Sequence, residues 1–196
     1  MADDRFFEAL YRAVGEAYDR VPWAALEPRP ALIEWLDCDP PAPGAAALVV
    51  ACGLGDDAEE LARRGCAVDA FDYAPTAIAE ARRRFPQSVV DYRVADLLDL
   101  PRAWDRRFAR VVEVQTIQSI PPADHRAAVA AIAATVAPGG KLFVRAAMRG
   151  EHDPAPHRPW PLKWSELEWF VDEGLTLTDR LSAYDDGVFV HLEYTR

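Results

Sequence analysis

The chain has 196 residues, 51% of them apolar and 28% charged, enough to bury a substantial core without disulfides or structural metals. Thirty-two acidic against 22 basic residues leave a formal charge of −10, which repels phosphate backbones and anionic lipid and sets nucleic acid and membrane surfaces aside as partners. Cys38, Cys52 and Cys66 form no CxxC pair and are odd in number, so they read as reduced, small core residues of a cytoplasmic protein; MADDRFFEAL is no export leader, and no run reaches the ~18 apolar residues of a membrane span.

Residues 3 to 19 place Phe6, Leu10 and Val14 on one helical stripe, with Phe7, Tyr11 and Tyr18 beside it. A Pro-punctuated stretch leads into a second short helix that must end before Pro40, Pro41, Pro43 and Gly44. Strand patterns then follow at 47–51, 67–72, 89–95, 109–115 and 141–148, separated by helical patterns. Ile78, Ala81 and Phe85 mark one of these helices; Val129, Ile132 and Val136 mark another, stopped by Pro138, Gly139 and Gly140. Strand and helix in alternation predict a parallel sheet covered on both faces, because right-handed crossovers lay each helix back on the sheet. ALVVA and KLFV are nearly all apolar, as central strands are, whereas Val90, Tyr92 and Val94 alternate with Asp91 and Arg93 as on a margin.

Beyond residue 149 a Pro-rich irregular loop precedes a helix whose start reads as a capping box, Ser165 with Glu168, stapled by Trp164 and Trp169. Two alternating segments close the chain, the second with Val188, Val190, Leu192 and Tyr194 on one face; Asp185, Asp186 and Gly187 between them predict an antiparallel pair. The reading is a single α/β domain, doubly wound and Rossmann-like. Its mixed sheet has seven strands, five parallel plus a C-terminal antiparallel hairpin. Residues 1–43 form a helical cap or lid, 44–148 the cofactor-binding core, 149–163 an acceptor lid loop and 164–196 the terminal helix and hairpin.

The chemistry concentrates in ACGLGDDAEELARRG, residues 51 to 65, which leaves the first strand and opens a helix. Gly53 and Gly55 let the backbone turn tightly and approach a ligand. Nineteen residues after Gly53, Asp72 ends the second strand, where a carboxylate can accept from both ribose hydroxyls. Gly53, Gly55 and Ala58 also satisfy the dinucleotide fingerprint G-x-G-x-x-A, which keeps a nicotinamide-dependent oxidoreductase as a distant alternative. Asp56 and Asp57 argue against it, since a pyrophosphate would meet like charge at that helix start, whereas S-adenosylmethionine carries a sulfonium and no phosphate. Asp96 and Leu97, just past the third strand, suit an adenine, the side chain accepting from the amino group and the backbone N–H donating to the ring. The expected cofactor is S-adenosyl-L-methionine.

These segments, with VPWAALEPRPAL, VDAFDYAPTAIAEARRRFP, VADLLDLP, RVVEVQTIQSIPP, VAPGGKLFVRAAMR and RPWPLKWSELEWF, resemble the thiopurine S-methyltransferase-like branch of class I methyltransferases, from about residue 20 to about residue 170. The resemblance implies methyl transfer to a small molecule. It implies Ala51, Cys52, Gly53 and Gly55 at the methionine part, Asp72 and Tyr73 at the ribose, Asp96 and Leu97 at the adenine, and Trp23 flanking from the N-terminal segment. The chain departs from the wider class at Val49, where an acid is common, at Ala51, where a Gly is common, and at Ala109, where an Asp is common.

On the acceptor side, in-line displacement at a sulfonium needs alignment and a water-poor pocket more than a base. Tyr11, Gln115, Gln118, Arg149 and Trp160 are the candidate acceptor-binding residues, with Glu113 and Arg145 nearby. Glu113 is read as the counter-charge to the methionine ammonium, with acceptor deprotonation as its competing role and a cationic partner expected beside it. His152 and His157 lack ligand-spaced partners, so no metal is expected, and His125 reads as solvated. The acceptor is a small, flat, heteroaromatic molecule methylated on S, N or O; the alternative is a non-catalytic domain of the same fold that binds a partner or senses the cofactor. Oligomeric state is left open.

Overall fold

A computed structural model describes residues 5–15, 17–21, 23–154, 157–181 and 188–196. Its strands are β1 (Ala46–Val50), β2 (Ala67–Asp72), β3 (Asp91–Val94), β4 (Phe108–Val114), β5 (Val136–Ala147), β6 (Thr176–Arg180) and β7 (Phe189–Thr195), in one seven-stranded sheet ordered β3-β2-β1-β4-β5-β7-β6. The β1-β2, β2-β3 and β4-β5 pairs are parallel; β5-β7 and β6-β7 are antiparallel. This is the doubly wound mixed sheet expected from the alternation, with its C-terminal antiparallel pair. The turn expected at Asp185, Asp186 and Gly187 lies outside the described residues. The chain divides into two compact units, Met1–Asp96 and Leu97–Arg196.

In the first unit, β1 and β2 are apolar because both of their faces are covered: Leu48, Val49, Val50, Ala70 and Phe71 are all buried. The margin strand β3 buries Tyr92 and leaves Asp91, Arg93 and Val94 exposed. Four helices flank these strands: α1 (Arg5–Val14), α2 (Pro30–Cys38), α3 (Asp56–Arg63) and α4 (Pro75–Arg84). The amphipathic face of α1 turns on Phe7, Leu10, Tyr11 and Val14, which pack with Tyr18, Val21, Trp23, Leu54, Ala74 and Ala77, while Phe6 faces outward. Of the three cysteines only Cys66 is a buried core residue; Cys38 ends α2 in solvent and Cys52 is half-buried, because its loop belongs to the glycine turn rather than to the sheet.

In the second unit, β5 begins at Val136, so Pro138, Gly139 and Gly140, expected to separate helix from strand, lie inside the strand. Gly140 explains why: a Cβ there would sit 2.8 Å from the carbonyl oxygen of Phe108, so only glycine lets β5 pass β4 at this irregular register. Helix α5 (His125–Thr135) buries Ala128, Val129, Ile132 and Ala133. Strand β7 does not alternate as expected, since Val190 through Tyr194 are all buried between β5 and the exposed β6. Buried Glu193 is satisfied by Lys141 Nζ at 3.1 Å and by the Thr178 hydroxyl at 2.8 Å.

Two short helices, α6 (Trp164–Leu167) and α7 (Trp169–Asp172), replace the single helix expected after the Pro-rich loop. The capping box also lies two residues before its predicted place. Lys163 N donates to Glu166 Oε2 at 2.8 Å and Glu166 N to Lys163 O at 3.1 Å, while the Ser165 N–H and hydroxyl donate to Glu151. Glu166 fixes this register because its other oxygen lies 2.7 Å from Nδ1 of His125. His125 is therefore not solvated but 0% exposed, with its Nε2 2.9 Å from the Ile120 carbonyl oxygen. Burial pushes the Glu166 carboxyl up, but hydrogen bonds from His125 and Lys163 outweigh it and hold the group below its ordinary value.

Candidate functional site

The glycine loop is a run of left-handed residues. Ala51 leaves β1 at φ +47, followed by Gly53 at +52 and Gly55 at +95. Ala51 thus stands in a conformation that disfavours a Cβ. Gly55 is required by packing within the fold: a Cβ there would lie 2.5 Å from the hydroxyl of Tyr92, which itself donates to Glu59 Oε1 at 2.7 Å. Gly53 faces the other way, and its Cβ would lie 3.1 Å from the Tyr11 hydroxyl.

Asp72, at the end of β2, braces this loop. Its Oδ2 accepts from Gly53 N at 2.9 Å and its Oδ1 from Ala74 N at 2.9 Å. Burial pushes the carboxyl above its ordinary value, and the amides of Ala74, Gly53 and Tyr73 pull the other way. Three backbone amides on two oxygens leave the carboxylate one acceptor site for a ligand hydroxyl. Tyr73 is exposed beside it, and Asp96 is exposed at the end of the unit. Leu97 is buried at the start of the second unit.

The helix-start charges are engaged, which weakens the electrostatic argument made from sequence. Asp56 forms a two-point ion pair with Arg84 at 2.7 and 2.8 Å, and Asp57 Oδ1 accepts from Arg29 N at 3.0 Å. What distinguishes the loop is its cover. Trp23 Nε1 donates to the Tyr11 hydroxyl at 3.0 Å, with the rings edge to face, and Phe7 also meets Trp23 edge to face, the ring centroids 5.3 Å apart. Glu8 fastens the segment: α4 has no side-chain cap at Ala74, and Glu8 takes that role by accepting from Thr76 N at 2.9 Å and the Thr76 hydroxyl at 2.7 Å. The sequence signal was a helix opening on Ala-Pro-Thr with no capping residue of its own, which left an orphan donor for another element to satisfy.

In the second unit, Glu113 is 1% exposed near the end of β4. Its Oε1 accepts from Thr116 N at 2.6 Å and Ile117 N at 3.2 Å, and its Oε2 is buried with no hydrogen-bond partner among the described residues. Burial raises the carboxyl to about 7, against the pull of those amides and the Arg145 charge. The cation expected beside it is Arg145, which acts through space: its guanidinium donates to Gln115 Oε1 and lies 3.6 Å from the Phe189 ring centroid.

Of the other acceptor candidates, Gln118 is buried and structural. Its Oε1 accepts from Ala147 N at 2.6 Å and its carbonyl oxygen from Trp160 N at 2.7 Å. Arg149 donates to the carbonyls of Pro161 and Asp153, both at 2.7 Å. These two residues hold the loop that carries Trp160. Gln115 stands at φ +61, and Trp160 is half-buried under Arg158.

A family profile described as a methyltransferase domain matches residues 47–140. The ubiquinone biosynthesis O-methyltransferase of Xanthomonas euvesicatoria is 38% identical over 103 residues, 52% of this chain and 42% of that protein. The match spans less than half the length of such curated relatives. A structure from work on the conversion of a disulfide bond into a thioacetal group during echinomycin biosynthesis superposes with a TM-score of 0.79 at 24% identity, over 99% of this chain and 91% of that one. The Burkholderia thailandensis 1,6-didemethyltoxoflavin-N1-methyltransferase, with bound 1,6-didemethyltoxoflavin and S-adenosylhomocysteine, gives 0.72 at 19% identity over 97% and 85%. The sheet is thus the Rossmann-like methyltransferase fold. Among the described residues no group of His, Cys, Asp or Glu could hold a metal, and no helix is long and apolar enough to cross a membrane.

Proposed function

We propose that the chain is an S-adenosylmethionine-dependent methyltransferase acting on a small, flat heteroaromatic molecule, of the thiopurine S-methyltransferase-like branch. The observation that carries this reading is the covered glycine loop. Gly53 is pinned by Asp72 on one side and faced by a buried hydroxyl on the other, in the stretch that the methyltransferase-domain profile matches. The residues fit the cofactor: Ala51, Cys52 and Gly53 border its methionine part, Gly55 shapes the turn behind them, Asp72 and Tyr73 face the ribose, and Asp96 with Leu97 the adenine. Trp23 flanks it. The small-molecule acceptor draws support from a relative named for ubiquinone biosynthesis and from a neighbour of the same fold that holds 1,6-didemethyltoxoflavin.

The cofactor supplies an electrophilic methyl group, so the chain's own work is alignment and the exclusion of water. Gln115 and Trp160 are the acceptor contacts, and residues 149–163 the acceptor lid, with Gln118 and Arg149 holding Trp160 in place. Glu113 is assigned to proton exchange rather than to the ammonium: its free Oε2 and elevated pKa suit a group that takes a proton from a protic acceptor at neutral pH.

Calorimetry with S-adenosylhomocysteine and with NAD, followed by an acceptor panel read as S-adenosylhomocysteine formation, tests the proposal. Saturable NAD binding with no response to S-adenosylhomocysteine overturns it. Cofactor binding without turnover on any acceptor reduces the chain to a cofactor-binding domain.

A further inference from the structure

We infer that the Tyr11 hydroxyl donates a hydrogen bond to the carboxylate at the amino-acid end of the cofactor, which moves Tyr11 from the acceptor side to the cofactor side; the inference rests on the cofactor reading above. Tyr11 is 3% exposed, and its oxygen already accepts the Trp23 indole N–H at 3.0 Å. Its own O–H donates to none of the described residues. A buried hydroxyl with an unused proton is costly, so a ligand acceptor is the natural complement. Burial, reinforced by the Asp72 charge, pushes the phenol far above its ordinary range, so it acts as a donor at every working pH.

The position of the hydroxyl selects the ligand group. It stands over Gly53 where that residue lacks a side chain, at the part of the loop that a ligand must approach. The sulfonium and ammonium of the cofactor are cations and accept nothing, and the ribose has the Asp72 carboxylate as its partner. The carboxylate is the strongest acceptor left. Trp23 is fixed in turn, since its carbonyl oxygen accepts from the Arg29 guanidinium and Arg29 N donates to Asp57. An indole-to-phenol-to-carboxylate chain of this kind polarises each link in the same direction.

The test compares two ligands that differ only at the carboxylate: S-adenosylhomocysteine and its decarboxylated analogue S-adenosyl-3-thiopropylamine. Tyr11→Phe should weaken the first about ten-fold or more, as expected when a hydrogen bond to a charged group is lost, and leave the second within about two-fold. Equal losses for both ligands, or none for either, overturn the inference while leaving the cofactor reading standing. A wild type that binds neither ligand overturns both. If Tyr11→Phe does not melt cooperatively, Trp23→Phe decides. That variant keeps the phenol and removes its polarising donor, so a smaller loss confined to the carboxylate-bearing ligand supports the inference and a loss shared by both refutes it.

Discussion

Replacing Glu113 by Gln removes a charge from a site with 1% exposure and keeps an oxygen able to accept from Thr116 and Ile117. Its effect on stability follows from linkage. A carboxyl that titrates at about 7 in the folded chain and at its ordinary 4.5 when unfolded disfavours the folded state by about 3 kcal/mol at alkaline pH. The folded state binds the proton more tightly, so this contribution is fully present below 4.5 and is lost as the pH rises through about 7. The measurement is urea unfolding of wild type and Glu113→Gln from pH 4.5 to 8.5. Other titrating groups cancel in the difference, which should grow by about 3 kcal/mol in favour of Gln, nearly all of it below neutral pH. A difference that stays flat across the range would falsify the reasoning, because it would mean that Glu113 titrates alike in both states. The same variant should bind S-adenosylhomocysteine normally and lose the pH dependence of kcat near 7.

Ala51→Gly should stabilise the fold by about 1 kcal/mol, the relief of a left-handed alanine less the added freedom of the unfolded chain, and raise Tm by about 2 to 4 °C in calorimetry. No change would show that the loop holds Ala51 without strain. Gly55→Ala should destabilise by about 2 to 4 kcal/mol through its positive φ and its approach to the Tyr92 hydroxyl. Tyr92→Phe in that background should recover part of the loss, and strict additivity of the two changes in a double-mutant cycle would refute the contact.

The sheet was legible because hydrophobic period and turn residues act locally: ALVVA and KLFV read as buried strands, and the alternation around Tyr92 read as a margin. The ends of elements were less legible. The register of β5 at Gly140 depends on a carbonyl from β4, and the cap at Lys163 depends on His125 drawing Glu166 inward. Neither partner is near in sequence. Asp72 was found from its offset to Gly53, whereas its bond to the Gly53 amide, the role of Glu8 at α4 and the buried state of His125 were not, since each is a long-range satisfaction of a polar group. The backbone contact of the Gln118 side chain was hidden for the same reason, since Ala147 N, from which it accepts, is 29 residues away.

That use of Gln118 has an evolutionary side. One residue clamps the exit of β5 through its side chain and the backbone of Trp160 through its carbonyl, so both ends of the intervening loop are referred to a single fixed point. A loop anchored in this way behaves as an interchangeable cassette. Changes between Arg149 and Trp160 leave both Gln118 contacts in place, so that stretch can vary while the exit of β5 and the backbone of Trp160 stay fixed.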